Sequence, residues 1–237
     1  MVALFQYLDW AIWYYHEDRY NEISGIANVI GADPHIVIMI NYVYEFTSFC
    51  TSLIARQEDG LIMHLRMLDF DFPEDMRNIT YIAEFYEDGE YQYEAVMFGG
   101  LAAMQTGFKK GAFSISINQR QPSDDTNWVD FMYNAGMIFM SYNQPSWVIR
   151  DTLAVCKDYA CAFEKLSSET LIAPAYLIVA GTKGNEGAII SRDRFGIANI
   201  TTLTDDKWFL VQTNQDHFSG DCPMRCQAAN SNFLSLG

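Results

Sequence analysis

Positive charge is scarce in this chain: 15 lysines and arginines stand against 30 aspartates and glutamates, a formal net charge of −15 over 237 residues. Binding a nucleic-acid backbone needs the opposite sign, because Lys and Arg must displace the counterions condensed on phosphate; no nucleic-acid partner is expected. Histidine is scarcer still, at four residues. None stands with a cysteine or a second histidine at zinc-ligand spacing, and of Cys50, Cys156, Cys161, Cys222 and Cys226 only Cys222-x-x-x-Cys226 comes near a pair. No metal or cofactor is therefore expected, and His35 reads as structural. Long apolar runs are missing too: Asn, Tyr, Glu or Asp interrupts each one before the ~20 residues of a membrane helix. The residues after Met1 lack a basic stretch and carry Asp9, Glu17 and Asp18 early, so no secretory leader is predicted at Met1.

What the chain does have is apolar mass. Half its residues are hydrophobic and 15% aromatic, enough for a sizeable core, and its length suits one domain. The acidic balance reads as a solvated surface or, more sharply, as adaptation to an acidic compartment, where carboxylates near pKa ~4 shed part of their mutual repulsion. Cys156 and Cys161 fall in a helical pattern on different faces and are expected as buried thiols. Asn78-Ile-Thr80 and Asn199-Ile-Thr201 are glycosylation sequons.

The elements follow from periodicity. Leu4, Phe5, Leu8, Ala11, Ile12 and Tyr15 give residues 2–20 one apolar helical face, which without cationic residues opposite predicts packing rather than membrane binding. Residues 21–30 predict a helix stopped by Gly31, and residues 35–46 are apolar enough for either buried helix or buried strand. Strands are expected at 51–56 and 61–67 and at 79–86 and 90–98, each pair joined by an Asp-Gly turn. Residues 73–78 read as loop and 101–106 as connector. Residues 112–118 alternate as a half-buried strand, and helices are expected over 128–140 and, behind a capping Ser146, over 146–166. Strands return at 175–181, 187–192, 197–203 and 208–212. Hairpins flanking grouped helices indicate an α+β layered fold.

Chemistry concentrates in Cys50 to Phe70. Pairing of its two strands brings Cys50, at the start of the first, back to Arg66 and Asp69, at the end of the second. A thiol, a guanidinium and a carboxylate then share one sheet edge. His64 is the nearest histidine, yet it has no partner with which to form a catalytic triad.

Cys50-Thr-Ser-Leu-Ile-Ala followed by His64-x-Arg66-x-Leu68-Asp69-Phe70 resembles the nucleophile segment of the acid ceramidase and N-acylethanolamine acid amidase family, N-terminal-nucleophile cysteine hydrolases related to choloylglycine hydrolases. Phe209-Leu-Val-Gln-Thr-Asn214-Gln-Asp216 resembles its later Asn-x-Asp motif, and Arg225 its late arginine. Leu171 to Tyr176, Ser191 to Arg194 and Gly107 to Ser114 resemble further strands. The resemblance implies a four-layer αββα sandwich of antiparallel sheets, with residues 1–49 as a helical propeptide or α-subunit and 50–237 as the hydrolase domain. It implies self-cleavage before Cys50, giving an α/β heterodimer in which the freed α-amine is the base for the thiol. Asp69 would orient that amine, Arg66 would lie beside the reacting carbonyl, and Asn214 would donate to the oxyanion, with Arg225 completing the catalytic set. The implied substrate is a lipid amide, a ceramide or an N-acylethanolamine, in a lysosomal or similar acidic compartment, with transient contact to a membrane surface.

Met63, Met67, Phe70 and Phe72 are expected to line the acyl site. Leu65 and Met67 replace the Gly and Asn usual in the family, and Gln119 replaces a glutamate linked to precursor activation. The family usually continues further beyond Cys226, so a partner chain completing the C-terminal part is a further expectation. The alternative is a family member that keeps the fold and acts as a structural or binding subunit. Another amide class, such as bile-salt or acyl-amino-acid conjugates, is the third reading.

Overall fold

The computed structural model describes residues 10–47, 49–69, 73–120, 136–137, 142–220 and 224–234. Residues 10–15 are helical and bury Ala11 and Ile12 while Trp10, Trp13, Tyr14 and Tyr15 stay exposed. Helix α1 (Glu17–Ile30) ends at Gly31, whose φ of 69° closes the helix by returning its N–H to Ala27 O. The ambiguous apolar stretch after it is helix α2 (Pro34–Thr47). Ile12, Ile23, Ala27, Val37, Ile38 and Tyr42 form one cluster with Trp147 and Ile172. That apolar face docks residues 10–47 on the rest of the molecule.

Strands β1 (Phe49–Arg56) and β2 (Ile62–Asp69) form the expected hairpin; Gly60 takes a φ of 86°, and Asp59 Oδ1 accepts from Leu61 N at 3.0 Å. Residues 73–78 are a short helix, α3 (Pro73–Asn78), rather than loop: proline is pre-set for a first helical turn, where Glu74 and Asp75 suit the positive end of the dipole. Strands β3 (Thr80–Glu87) and β4 (Glu90–Phe98) close over Asp88 and Gly89, both at positive φ. The connector at 101–106 is followed by a strand the periodicity did not announce, β5 (Thr106–Lys109), and then by β6 (Phe113–Gln119).

The helix expected over 128–140 lies almost wholly outside the described residues. The one expected over 146–166 is two helices, α4 (Pro145–Val155) and α5 (Tyr159–Ser168). Gln144, not Ser146, is the N-cap of α4, with Pro145 at its first position. Asp158 starts α5 by accepting from Cys161 N at 2.9 Å. The break overturns the expectation of two separate thiols: Cys156 lies beyond the end of α4, its Cα comes within 5.4 Å of that of Cys161, and the two form a disulfide. Strands β7 (Ala175–Ala180), β8 (Gly187–Arg192), β9 (Ile197–Thr202) and β10 (Phe209–Gln212) and helix α6 (Met224–Leu234) complete the chain.

Two antiparallel sheets result, as expected for an α+β fold. β3 to β9 form one in sequence order, and β10-β1-β2 the other. One core lies between the large sheet and α4 and α5, around Ile115, Ile117, Leu153, Leu166 and Leu177. A second, with Ile54, Tyr176, Ile178, Ile189, Leu203 and Leu210, lies between the sheets. On the outer face of the small sheet Leu53, Ala55 and Val211 cluster with Trp208 and Phe209; among the described residues α6, which touches β10, is the helix on that side.

Strand β6 is not half-buried as its alternation suggests. Phe113, Ile115 and Ile117 face the helices, and its polar positions face the second sheet, with Ser116 and Asn118 at 0% exposure. Close approach of the sheets also depends on Gly187. A Cβ there would stand 2.6 Å from Leu203 Cδ1 and 3.1 Å from Ile54 Cγ2. Gly187→Ala is expected to lower the unfolding free energy by about 1–3 kcal/mol through overpacking, measurable as a lower urea midpoint with an unchanged slope.

Candidate active site

Strand register sorts the hairpin into two faces. Cys50 pairs with Leu68, Ser52 with Arg66 and Ile54 with His64. Side chains alternate along a strand and directly paired residues share a face. Cys50, Ser52 and Ile54, with Ile62, His64, Arg66 and Leu68, therefore face the large sheet. Thr51, Leu53 and Ala55, with Met63, Leu65 and Met67, face away. Met63 and Met67 are 41% and 62% exposed on that far side, so the structure separates them from Cys50 and corrects the expected acyl lining. Phe70 and Phe72 lie outside the described residues.

Cys50 is wholly buried. Arg66 Nη2 donates to its Sγ at 3.4 Å. The guanidinium is itself fixed: Nε and Nη2 donate to Ile117 O at 3.1 and 2.8 Å, and Nη1 donates to Thr106 Oγ1 at 3.0 Å. A cation on a long side chain is thus pinned to β5 and β6 and aimed at the sulfur. Asp69 is exposed at the end of β2, in register with Phe49, so its backbone lies across from the residue that precedes Cys50.

The third component arrives from far along the chain. β10 pairs with β1, Gln212 opposite Ser52, and the residues after β10 reach the sheet end where Cys50 lies. Cys50 N donates to Asn214 Oδ1 at 2.8 Å, and Asn214 Nδ2 donates to Gln119 O at 2.9 Å. Asn214 therefore ties the backbone of Cys50 to the end of β6. Gln119 enters the site through that carbonyl, and it is 9% exposed. Arg225 falls in the first turn of α6, and its side chain lies outside the described residues.

A salt bridge closes the site from below. Arg120 Nε and Nη2 donate to Asp216 Oδ1 and Oδ2 at 2.7 and 2.8 Å, Nη1 donates to Asp193 Oδ1 at 2.5 Å, and Tyr176 Oη donates to Asp216 Oδ1 at 2.6 Å. Burial works to raise the Asp216 carboxyl, but the hydrogen bonds from Arg120 and Tyr176 and the arginine charge outweigh it and hold it below the ordinary carboxylate range. Nothing in the spacing of the sequence announced this brace.

His64 is not directed at the thiol. Its Nδ1 and Nε2 lie 2.8 Å from Ser114 Oγ and Ser116 Oγ. Burial, helped by the charge of Arg66, pushes its pKa down to about 4, which makes it a poor base in acid. A cleft of about 330 Å³ runs from His64 and Arg66 between Ile62, Thr106, Phe108 and Phe113. Cys50 does not line it; Arg66, which does, is the residue that also donates to the thiol. The sequence signal for Ile62, His64 and Arg66 in this lining is the parity of the hairpin, legible only once the register is known.

Of the sequons, Asn78 is exposed at the end of α3, and Asn199 on β9 donates from Nδ2 to Thr201 Oγ1 at 3.1 Å. Among the described residues no group of three His, Cys, Asp or Glu could hold a metal ion, and no helix is long and apolar enough to cross a membrane.

No family model matches the chain. Over 200 residues it is 35% identical to the N-acylethanolamine-hydrolyzing acid amidase of Rattus norvegicus, covering 84% of this chain and 54% of that protein. The Caenorhabditis elegans protein of the same name is 34% identical over 218 residues, covering 86% and 60%. The acid ceramidase of Balaenoptera acutorostrata scammoni is 30% identical over 220 residues, covering 83% and 53%. The chain thus spans little more than half the length of these relatives. A solved structure of a Caenorhabditis elegans N-acylethanolamine-hydrolyzing acid amidase ortholog superposes with a TM-score of 0.71 at 36% identity, covering 79% of this chain and 80% of that one.

Proposed function

The chain belongs to the family of N-acylethanolamine-hydrolyzing acid amidases and acid ceramidases, and from that premise we propose that it is a cysteine amidase that hydrolyses the amide bond of an N-acyl lipid with Cys50 as nucleophile. The observation that carries this reading is the double hold on Cys50, its nitrogen on Asn214 Oδ1 at 2.8 Å and its sulfur under Arg66 Nη2 at 3.4 Å.

In the intact chain Sγ attacks the Phe49 carbonyl, the peptide bond breaks as a thioester forms, and water releases residues 1–49. The nitrogen that donated to Asn214 becomes a free α-amine. An α-amine titrates near pKa ~7.7–8.0 in the open, and it takes the thiol proton as Sγ attacks the lipid amide. The C–N bond then breaks, the amine leaves with that proton, and water hydrolyses the acyl-thioester to the fatty acid. Arg66 stands beside the reacting carbonyl. Asn214, expected from the resemblance to donate to the oxyanion, in the intact chain accepts from Cys50 N and donates to Gln119 O, so we read it as helping to hold the amine in register. Asp69 and Arg225 keep the supporting roles the resemblance implies. The acyl chain enters the cleft bounded by Ile62, Phe108 and Phe113.

Residues 1–49 stay bound after cleavage through the Ile12, Ile23, Val37 and Trp147 cluster, which supports a heterodimer. Exposed Trp10, Trp13 and Tyr14 suit transient contact with a membrane interface, where amphipathic aromatic rings settle. The Cys156–Cys161 disulfide supports an oxidising compartment and the acidic composition an acidic one, together a lysosomal setting with glycans on Asn78 and Asn199.

Gln119 favours the second reading, a member that keeps the fold without turnover, because a glutamine cannot exchange a proton. One experiment decides between them. Protein held in mild acid is followed by intact mass and then given N-acyl amides of rising chain length. Loss of the first 49 residues, with rates rising by up to about 0.8 kcal/mol of transition-state binding per buried CH₂, is the expected result. A chain that stays whole and inert supports the structural reading; cleavage with equal rates for short and long chains removes the lipid.

A further inference from the structure

A run of polar side chains crosses the space between the two sheets, where apolar residues are the default. Its hydrogens can be assigned from one end. Asn118 Nδ2 faces two carbonyls, Gln212 O at 2.8 Å and Thr213 O at 3.4 Å, so the amide orientation is set and Oδ1 points the other way. That oxygen only accepts, so Ser52 spends its hydroxyl hydrogen on it at 2.8 Å. Ser52 Oγ must then accept from Ser116 Oγ at 3.0 Å. Ser116, its hydrogen spent, must accept from His64, so Nε2 carries the imidazole hydrogen at 2.8 Å. Nδ1 of a neutral ring is then the acceptor for Ser114 Oγ, also at 2.8 Å. The chain has one direction: Ser114 to His64 to Ser116 to Ser52 to Asn118.

The Ser52–Asn118 end of the run bears on the nucleophile. Ser52 is two residues beyond Cys50, and Asn118 grips the carbonyls of the two residues immediately before Asn214. A change in the chain is therefore a change in how β1 and the Asn214 loop meet at the Cys50–Asn214 hydrogen bond. Ser114 has a second acceptor, Ala180 O at 3.5 Å. If His64 gains a proton, Nδ1 becomes a donor, and the Ser114 hydrogen can turn to Ala180 without orphaning a buried group.

We propose that His64 is a positioning residue for the Cys50–Asn214 pair and that proton uptake by its ring, between the sheets, retunes the geometry at the thiol. The proposal rests on the reading of Cys50 as nucleophile. The groups packed against the ring from β1 and β6 are Ile54, Ser52, Ser114 and Ser116, all uncharged. The cations near it are Arg66 on its own strand and Lys109 on β5, which line the same cleft, and no carboxylate lines that cleft among the described residues. A protonated ring is therefore stripped of water and also meets repulsion from Arg66, in line with its pKa of about 4. Above that value the run is neutral and as assigned. Below it a cation stands two residues along β2 from the arginine that touches Sγ.

The test is the pH dependence of kcat and KM for a fluorogenic long-chain N-acyl amide, measured on self-cleaved wild type, His64→Leu, His64→Gln and Ser116→Ala, with Cys50→Ala alongside. Expected for His64→Leu and Ser116→Ala is a roughly tenfold or greater fall in kcat with KM little changed, the mark of misplacement rather than lost binding. His64→Gln should restore most of that loss, because a carboxamide can accept from Ser114 and donate to Ser116, and it should lose the acid limb near pH ~4 because it cannot be protonated. Wild-type kcat and an unshifted acid limb in His64→Gln and Ser116→Ala overturn the proposal, including the case where His64→Leu does not fold. If those variants behave normally while Cys50→Ala is dead, the inference fails alone. An active Cys50→Ala, or a wild type with neither cleavage nor turnover, removes the nucleophile reading and the inference with it.

Discussion

Cys50→Ala is expected to stay whole after acid treatment and to lose amidase activity by about 10⁴-fold or more, the scale seen when a covalent nucleophile is deleted from an enzyme of this logic. The fold should survive. Alanine keeps the backbone N–H that donates to Asn214 Oδ1, and the only loss is one sulfur atom in a buried site, a cavity smaller than that of a typical Leu→Ala change. Arg66 keeps its bonds to Ile117 O and Thr106 Oγ1, so its charge does not become an unpaired buried cation. Cys50→Ser retains a nucleophile but a weaker one, and slow cleavage with little turnover is expected. Near-wild-type turnover in Cys50→Ala would put the nucleophile elsewhere, while inactivity combined with a collapsed melting transition would make the loss uninformative about chemistry. Intact mass, turnover and a thermal melt on the same preparation separate these cases.

How much of this site was legible in the amino-acid order depends on the distance over which each contact acts. The Asp59-Gly60 and Asp88-Gly89 turns act within a few residues, through the positive φ that glycine accepts, and both appear where the sequence puts them. The meeting of Cys50 with Arg66 follows from the first of these turns. The arrival of Asn214 does not: β10 returns to β1 from far along the chain, and no local pattern encodes that return, so only the family resemblance pointed to it.

Other misreadings share a cause. Alternation along β6 says that Ser114, Ser116 and Asn118 share a face, but it cannot say whether water or another sheet lies there. The helix pattern over 146–166 is continuous in its apolar spacing. Its interruption at Cys156-Lys157-Asp158 is set by a disulfide and by the Asp158 cap, which periodicity does not weigh. Met63 and Met67 are large and apolar, and composition alone drew them to the acyl site; one residue of register assigns them to the opposite face.

The second large effect expected is in stability. Arg120 and Asp216 have side chains 5% and 13% exposed, and removing one member of such a pair leaves the other charged and desolvated, at a cost of about 3–5 kcal/mol. Arg120→Met should lower the unfolding free energy by that amount, read from urea unfolding at neutral pH. The pair clasps the Asn214 loop, with Arg120 following Gln119, whose carbonyl accepts from Asn214, and Asp216 standing two residues beyond Asn214, so cleavage before Cys50 should slow in the same variant.

The sign of the pH dependence follows from the direction of the Asp216 shift. Its folded pKa lies below its unfolded value near ~3.9, so its contribution is fully present above that value and is lost only as pH falls through the lower folded one. In Arg120→Met, burial still opposes the charge while the arginine's hydrogen bonds and positive charge are gone and Tyr176 continues to donate, and the loss should begin at higher pH. Asp216→Asn in the same chain gives the decisive comparison: asparagine still accepts from Tyr176 Oη but carries no charge, so the double variant should regain more than half of what Arg120→Met loses. A double variant no more stable than the single one would mean that Arg120 acts through packing against Tyr176 and Phe218, whose rings lie 5.9 and 5.8 Å from its guanidinium carbon, and not through the carboxylate.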